Sequence, residues 1–271
     1  MRRLFLRSAL CGLLAPAALA GQATADQARL MFTVGFGQTS GGGTLWSVGR
    51  QPFQISSSVV DTLSVSRNFR RSLDVMFSGT YFPNDNLGFS VEAQLLGLAT
   101  EDECSIRSTL GSTETQQLCR SIRRSERSAS AAALSAGLVY RIGSRQPLHP
   151  FVRANAGFVV SQQSFLKTTG RIETDSAGIP TGVFSDLTLY QDSDPASIQP
   201  YLSFGGGVAA VIGRGYQFRV EVRDNWVRLP AVAGPTPRQG VTPKSELVGK
   251  HFLSFLVGFD IVLERKRGRR Y

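Results

Sequence analysis

Eight charged residues of this 271-residue chain stand at alternate positions inside otherwise apolar runs: Asp74, Glu92, Arg141, Arg153, Arg219, Glu221, Arg223 and Asp260. The stretch FRVEVRDNW, from Phe218 to Trp226, shows the pattern. Arg219, Glu221 and Arg223 share one side, and Phe218, Val220 and Val222 share the other. Four acids and four bases on the same side of their strands can neutralise one another in a closed space. Unpaired charges are costly away from water, so such a set predicts a salt-bridge network with some residual water. Two readings follow: a plug that stiffens an interior, or a narrow polar path that gates solute.

Other chemistry-bearing residues are sparse. The two histidines are His149, in a short turn, and His251, at the entry to the last apolar run. A catalytic nucleophile must lie within hydrogen-bond reach of its base, and no spacing here names one. No catalytic residue is assigned, and His251 is the single candidate for a lipid-modifying enzyme. Cys104 and Cys119 flank the polar stretch SIRSTLGSTETQQL. Their spacing fits no zinc pattern and no histidine is near, so no metal and no cofactor are expected. In an oxidising compartment the pair forms a local disulfide. Arg120, Arg123, Arg124 and Arg127 make a basic patch that could clamp anionic lipid or pair with Glu101, Asp102 and Glu103. Ser40-Gly41-Gly42-Gly43 and Gly205-Gly206-Gly207 precede no helix, so neither is a phosphate cradle. The first reads as a flexible loop, the second as a site of strand bending or close approach.

The elements that must position these residues have period two. Eight alternating segments run roughly over 29–37, 72–82, 87–99, 129–142, 151–161, 201–212, 216–227 and 252–264. None reads as a long amphipathic helix. The linkers PNDN, GSRQPLHP and GRG are short, and the other four, about 38–71, 100–128, 162–198 and 228–251, are long. Short and long links alternate throughout, which predicts an all-β, closed, up-and-down antiparallel barrel of eight strands. A stretch at Thr62–Ser66 leaves ten strands open, or extends the second strand.

Which face points inward decides between a soluble and a membrane barrel. The only lysines are Lys167, Lys244, Lys250 and Lys266, none inside a predicted strand. A solvated strand face would carry more. The polar face also holds small residues, such as Gly35, Gly37, Ser135, Gly137, Ser203 and Gly205, which suit a crowded lumen. Both features favour apolar side chains in lipid. Tyr81, Tyr140 and Tyr216 adjoin the short turns on the apolar face, and Trp226 stands near the opposite rim. These four fit an interfacial aromatic girdle.

The ends are read separately. Arg2 and Arg3, an apolar run and Ala18-Leu19-Ala20 form an export signal over 1–20, with a second cleavage candidate after Ala25. The barrel then occupies 29–264 and a basic tail 265–271. Without three arginines of the leader and five basic residues of the tail, the net charge of +10 falls to about +2. That leaves no basic face for nucleic acid. The tail either meets lipid phosphates or is a solvated end.

The chain resembles the small eight-stranded outer-membrane β-barrels, the class of the OmpA transmembrane domain, OmpX and OmpW. The likeness spans about 29–264 and includes a closing strand similar to the assembly signal of such proteins. Gly258 is followed by apolar Ile261 and Leu263, but the usual terminal phenylalanine is absent and the chain runs on to Tyr271. The resemblance implies outer-membrane lipids and the barrel assembly machinery as partners, with both termini in the periplasm. A filled lumen and four long outer loops, which could meet lipopolysaccharide or another external ligand, point to a structural or surface-interaction role. A narrow channel is the alternative.

Overall fold

The computed structural model describes residues 29–54, 60–107, 113–124, 126–127, 130–144, 146–161, 163–176, 179–192, 197–213 and 215–264. The expected export signal and basic tail lie outside them. Fourteen strands and one helix are present among these residues. Eight strands form the barrel: β1 (Arg29–Gly41), β4 (Ser72–Phe82), β5 (Leu87–Gly97), β8 (Ser130–Arg141), β9 (Leu148–Ser161), β12 (Ser197–Gly213), β13 (Tyr216–Val232) and β14 (Ser245–Glu264). They close in the order β1-β14-β13-β12-β9-β8-β5-β4. Closure is carried by β1, where Val34 faces Phe259 of β14 on one side and Phe77 of β4 on the other. Every neighbouring pair is antiparallel, so no sheet edge is left in the wall.

The alternation seen in sequence is the alternation of faces. Phe32, Leu73, Phe89, Leu138, Val152, Phe204, Val222 and Phe255 are exposed on the outer wall. Asp74, Glu92, Ser135, Arg153, Ser203, Glu221 and Ser254 are buried inside it. The inner glycines make room for long side chains. Gly258 lies opposite Arg219, and a Cβ there would stand 2.9 Å from the arginine Cγ. No helix is long and apolar enough to cross a membrane, which says nothing of strands.

The long links depart from expectation. They fold into a compact cap. The first contributes β2 (Thr44–Gln54) and β3 (Val60–Phe69), and the second β6 (Thr100–Ile106), α1 (Thr113–Arg123) and β7 (Glu126–Arg127). Together they form a four-stranded sheet, β2-β3-β6-β7. The third folds as the hairpin β10 (Thr168–Ser176) and β11 (Ile179–Tyr190). Thr62–Ser66 is therefore a strand, but of the cap and not of the wall. The Ser40–Gly43 stretch is no loose loop. Gly41, Gly42 and Gly43 take φ of 108°, 71° and 58° to turn the chain from wall to cap. Only glycine adopts three such values in a row at little cost. His149 lies in β9, buried and facing inward, rather than in a turn.

One apolar core joins cap and barrel. Trp46, Phe53, Leu63, Val65, Leu118, Phe165 and Leu189 pack in the cap, with Leu229 of β13 in the same cluster. They continue into Leu96, Ala133, Val159, Val227 and Phe252 at the upper inner wall. The disulfide Cys104–Cys119 ties α1 to β6 with a Cα–Cα distance of 5.2 Å.

Candidate functional site

The lumen is built in layers below that apolar ceiling. First comes a hydrogen-bonded layer around Asp74. Its carboxylate accepts from Thr39 Oγ1 at 3.0 Å, Ser254 Oγ at 2.6 Å and Gln94 Nε2 at 2.7 Å. The Tyr201 hydroxyl lies 2.7 Å from two acceptors, Gln94 Oε1 and Asn225 Oδ1. Asn225 Nδ2 donates to Ser254 Oγ at 2.8 Å and closes the ring of contacts.

An ionic layer follows. Arg223 donates through Nε at 3.0 Å and Nη2 at 2.8 Å to the Glu221 Oε1, and through Nη1 to Glu92. Arg153 Nη1 stands 3.2 Å from Glu92 and 3.4 Å from Glu221. All four side chains are fully enclosed. Two carboxylates face two guanidinium groups, so the layer is neutral and each charge has an opposite partner. Neutrality with direct contact is what permits charges so far from water.

The lowest layer is looser. Arg219 Nε is 3.6 Å from Asp260, and its guanidinium stacks 4.3 Å from the Phe151 ring centre. Arg141 stacks 3.5 Å from the centre of Phe82. Met31, Val139 and Ala209 complete an apolar floor. Both Asp260 oxygens, both His149 nitrogens, and Arg141 Nε and Nη2 are buried with no protein hydrogen bond among the described residues.

All eight charged residues singled out from sequence thus line one lumen, but as three groups. Glu92, Arg153, Glu221 and Arg223 meet directly. Arg219 and Asp260 pair below them, with Arg141 apart on Phe82. Asp74 joins no arginine; hydroxyls and an amide hold it. Tyr201, Asn225, Ser254 and Thr39 were not singled out, because neutral side chains on a polar face carry no signal of partnership.

The outer residues divide similarly. Tyr81, Tyr140 and Tyr216 are exposed on the outer wall at the short-turn end, and Trp226 is half-buried there near the cap. Asp224 and His251 face outward on adjacent strands, with His251 Nδ1 2.9 Å from Asp224 Oδ2. No serine, threonine or cysteine side chain bonds to His251 among the described residues. Ser40 donates to the Leu253 carbonyl at 3.4 Å.

The basic patch does not act as one unit. Arg120 and Arg124 line a cleft between α1 and the β10–β11 hairpin; Arg123 is exposed on α1 outside that lining, and Arg127 falls in β7. Among the described residues, the acids expected as their partners contact other side chains. Arg67 holds Asp102 in a two-pronged pair at 2.6 and 2.8 Å, and Arg70 stands 3.4 Å from Glu101. Glu103 accepts from Ser66 at 3.4 Å.

Arg67 is the residue that sequence reasoning missed in the cap. It is fully buried, and it also donates to the carbonyls of Phe165 at 2.6 Å and Lys167 at 2.9 Å. Its guanidinium lies 5.1 Å from the Trp46 ring centre. Gln51, likewise buried, bonds to Thr236 in the fourth link and to the Tyr190 hydroxyl at 3.0 Å. Burial pushes that hydroxyl's pKa up, so it stays protonated and donates.

With this geometry in hand, comparison with solved structures returns outer-membrane and surface proteins. Outer membrane protein AlkL, solved in lipid bilayers, is 14% identical over 94% of this chain and 99% of its own, with a TM-score of 0.43. OprG of Pseudomonas aeruginosa is 9% identical over 88% and 96%, at 0.39. Neisserial surface protein A is 11% identical over 86% and 96%, at 0.37. No family model and no curated protein matches the chain. Likeness this slight carries no argument about function; the closed eight-stranded barrel rests on its own strand pairing.

Proposed function

We propose that the chain is an outer-membrane barrel with a plugged lumen that holds a folded cap at the cell surface, in a structural or surface-interaction role. The observation that carries this is that, among the described residues, enclosed side chains stand at every level of the lumen. Apolar side chains close the top, an ionic layer crosses the middle, and arginines stacked on rings occupy the base. An eight-stranded wall leaves just the width that side chains can fill.

The outer wall supports the membrane placement. Its exposed apolar residues surround all eight strands, and a soluble protein rarely exposes a patch of that extent. On β13, Tyr216 and Trp226 are ten residues apart. At about 3.4 Å per residue and a tilt of roughly 40°, they stand about 26 Å apart in height, close to the band of about 25 Å in such barrels. The short turns and both termini then face the periplasm, and the cap faces outward. In this placement the exposed rings of Tyr81, Tyr140 and Tyr216 stand at the inner boundary.

The refolded chain in a planar lipid bilayer is expected to show no unitary conductance. Discrete steps would instead establish the channel reading, with the inward arginines and carboxylates setting selectivity. That rival draws on one observation, the buried polar atoms of Asp260, His149 and Arg141 in the lower lumen that make no hydrogen bond among the described residues. The membrane boundary has its own test. The chain holds two tryptophans, and W46F leaves Trp226 alone. In vesicles its emission should be quenched most by lipids brominated near the headgroup. An unquenched, water-like spectrum would overturn the placement.

A further inference from the structure

The geometry points to a site for a phosphorylated saccharide in the cleft between α1 and the β10–β11 hairpin. This deepens the surface-interaction reading and rests on it for biological setting, but the site itself is a property of the cap. The cleft is open to solvent and offers about 700 Å³, enough for one or two sugar rings. Arg120 and Arg124 project from α1 and the turn after it. Arg171 comes from β10, and Lys167 from the segment before it. Asp186 is the one acid of the lining, and it is paired with Arg171 at 2.8 Å. Beyond that pair, Arg120 and Arg124 give the lining an excess of positive charge among the described residues.

The walls are held rather than loose. The disulfide fixes α1 to β6. The Arg171 backbone N–H donates to Ser121 Oγ at 2.7 Å, which stitches the hairpin to the helix. Gly170 lets the two approach: a Cβ there would lie 2.3 Å from Leu118 Cδ1. Cations on two braced elements are preorganised, so less ordering is lost when an anion enters. Guanidinium groups match phosphate oxygens in a two-pronged fork that lysine cannot reproduce.

The saccharide part of the assignment comes from the rest of the lining. Phe184 is exposed at the cleft, and an apolar ring face of that kind suits the C–H side of a sugar. Gln117 and Thr169 add neutral polar side chains beside it. A bare phosphate would use neither feature. An acidic peptide would use the cations but would not require phosphate geometry. The same chemistry can come from two sources: a phosphorylated headgroup of the surrounding leaflet, or a soluble phosphorylated glycan.

The test uses the full refolded, oxidised chain in detergent, titrated calorimetrically with a deacylated glucosamine disaccharide bisphosphate. Binding should be lost when the phosphates are removed from the probe. R120E/R124E should weaken it about a hundredfold, since each charge-assisted contact is worth about tenfold or more. R123E, on the same helix but outside the lining, should change it little beyond salt-screened attraction. D186N should strengthen it, because an opposing charge of the lining is removed. Unaltered circular dichroism of each variant excludes loss of fold. Reconstitution in nanodiscs then separates the sources. Discs carrying the same headgroup on lipid will block the soluble probe if the leaflet supplies the ligand, and will leave its titration unchanged if the ligand is soluble. No binding at millimolar probe would overturn the site. So would equal weakening by R123E and R120E/R124E, or binding of polyglutamate at equal strength. None of these results depends on whether the lumen conducts.

Discussion

Arg223→Ala will destabilise the barrel more than any other single change in the lumen, by about 3–5 kcal/mol, the usual cost of removing one partner from a buried ion pair. Arg223 bridges Glu92 and Glu221 more closely than Arg153 does. Without it two enclosed carboxylates share Arg153 alone, which stands 3.2 and 3.4 Å from them. One must either protonate or draw in water, and both weaken the wall. The measurement is the urea midpoint of the folded-to-unfolded transition in detergent, followed by the heat-dependent gel shift. E221Q should cost less, since an amide still accepts from Arg223. Converting Glu92, Arg153, Glu221 and Arg223 together to leucine or methionine should be near neutral, because paired charges and packed apolar groups of similar volume are close in energy. An unchanged midpoint for R223A would remove the structural role of this layer. A folded R223A barrel that conducts ions would shift the reading toward a gate.

The second large effect lies in the cap. Arg67→Ala is expected to cost the cap about 3–5 kcal/mol as well, again because a buried carboxylate loses its guanidinium. Arg67 joins β3 to Asp102 on β6 and to the backbone of residues 165–167, so three segments of different links depend on one side chain. Arg67→Lys should not rescue it, since an ammonium cannot span those acceptors. The signature is selective. In lipid vesicles, protease should cut the R67A cap between β3 and β10 while the wall stays intact. A cap as resistant as the parent's would refute the assignment. Simultaneous loss of wall and cap would mean that the shared core around Phe252 and Val227 makes them one cooperative unit.

Much of the wall was legible in the sequence. The eight strands, their faces and the inward position of all eight charged residues followed from period two and from the alternation of link lengths. Strand alternation is a local property, and each strand of a small barrel has one side in a crowded interior, so parity alone sorts the residues. The disulfide was equally legible, since only two cysteines lie in the expected mature chain.

The cap was not legible. Residues 113–123 carry few apolar side chains, and α1 buries only Thr115, Leu118, Cys119 and Ile122. Such a helix is weak alone and exists because β6 and β10 cover that face. Arg67 gave no sign of burial, because an arginine in a polar link looks solvated until its five N–H groups find acceptors from distant segments. Gln51 and Tyr201 are the same case.

The sequence by itself determined the barrel: which side chains face in, which face out, and where the wall turns. Those are decisions of short range, made by steric alternation and by the polarity of neighbours two residues apart. The tertiary structure decided everything that needs a partner far along the chain. It chose Arg223 as the bridge between two carboxylates, gave Asp74 to hydroxyls instead of an arginine, and folded three polar links into a lid over the lumen. It also divided the basic patch, turning Arg120 and Arg124 into a cleft with Lys167 and Arg171. Pairing energies act across space at a few ångströms, and no spacing along the chain encodes which of several arginines will reach a given carboxylate first.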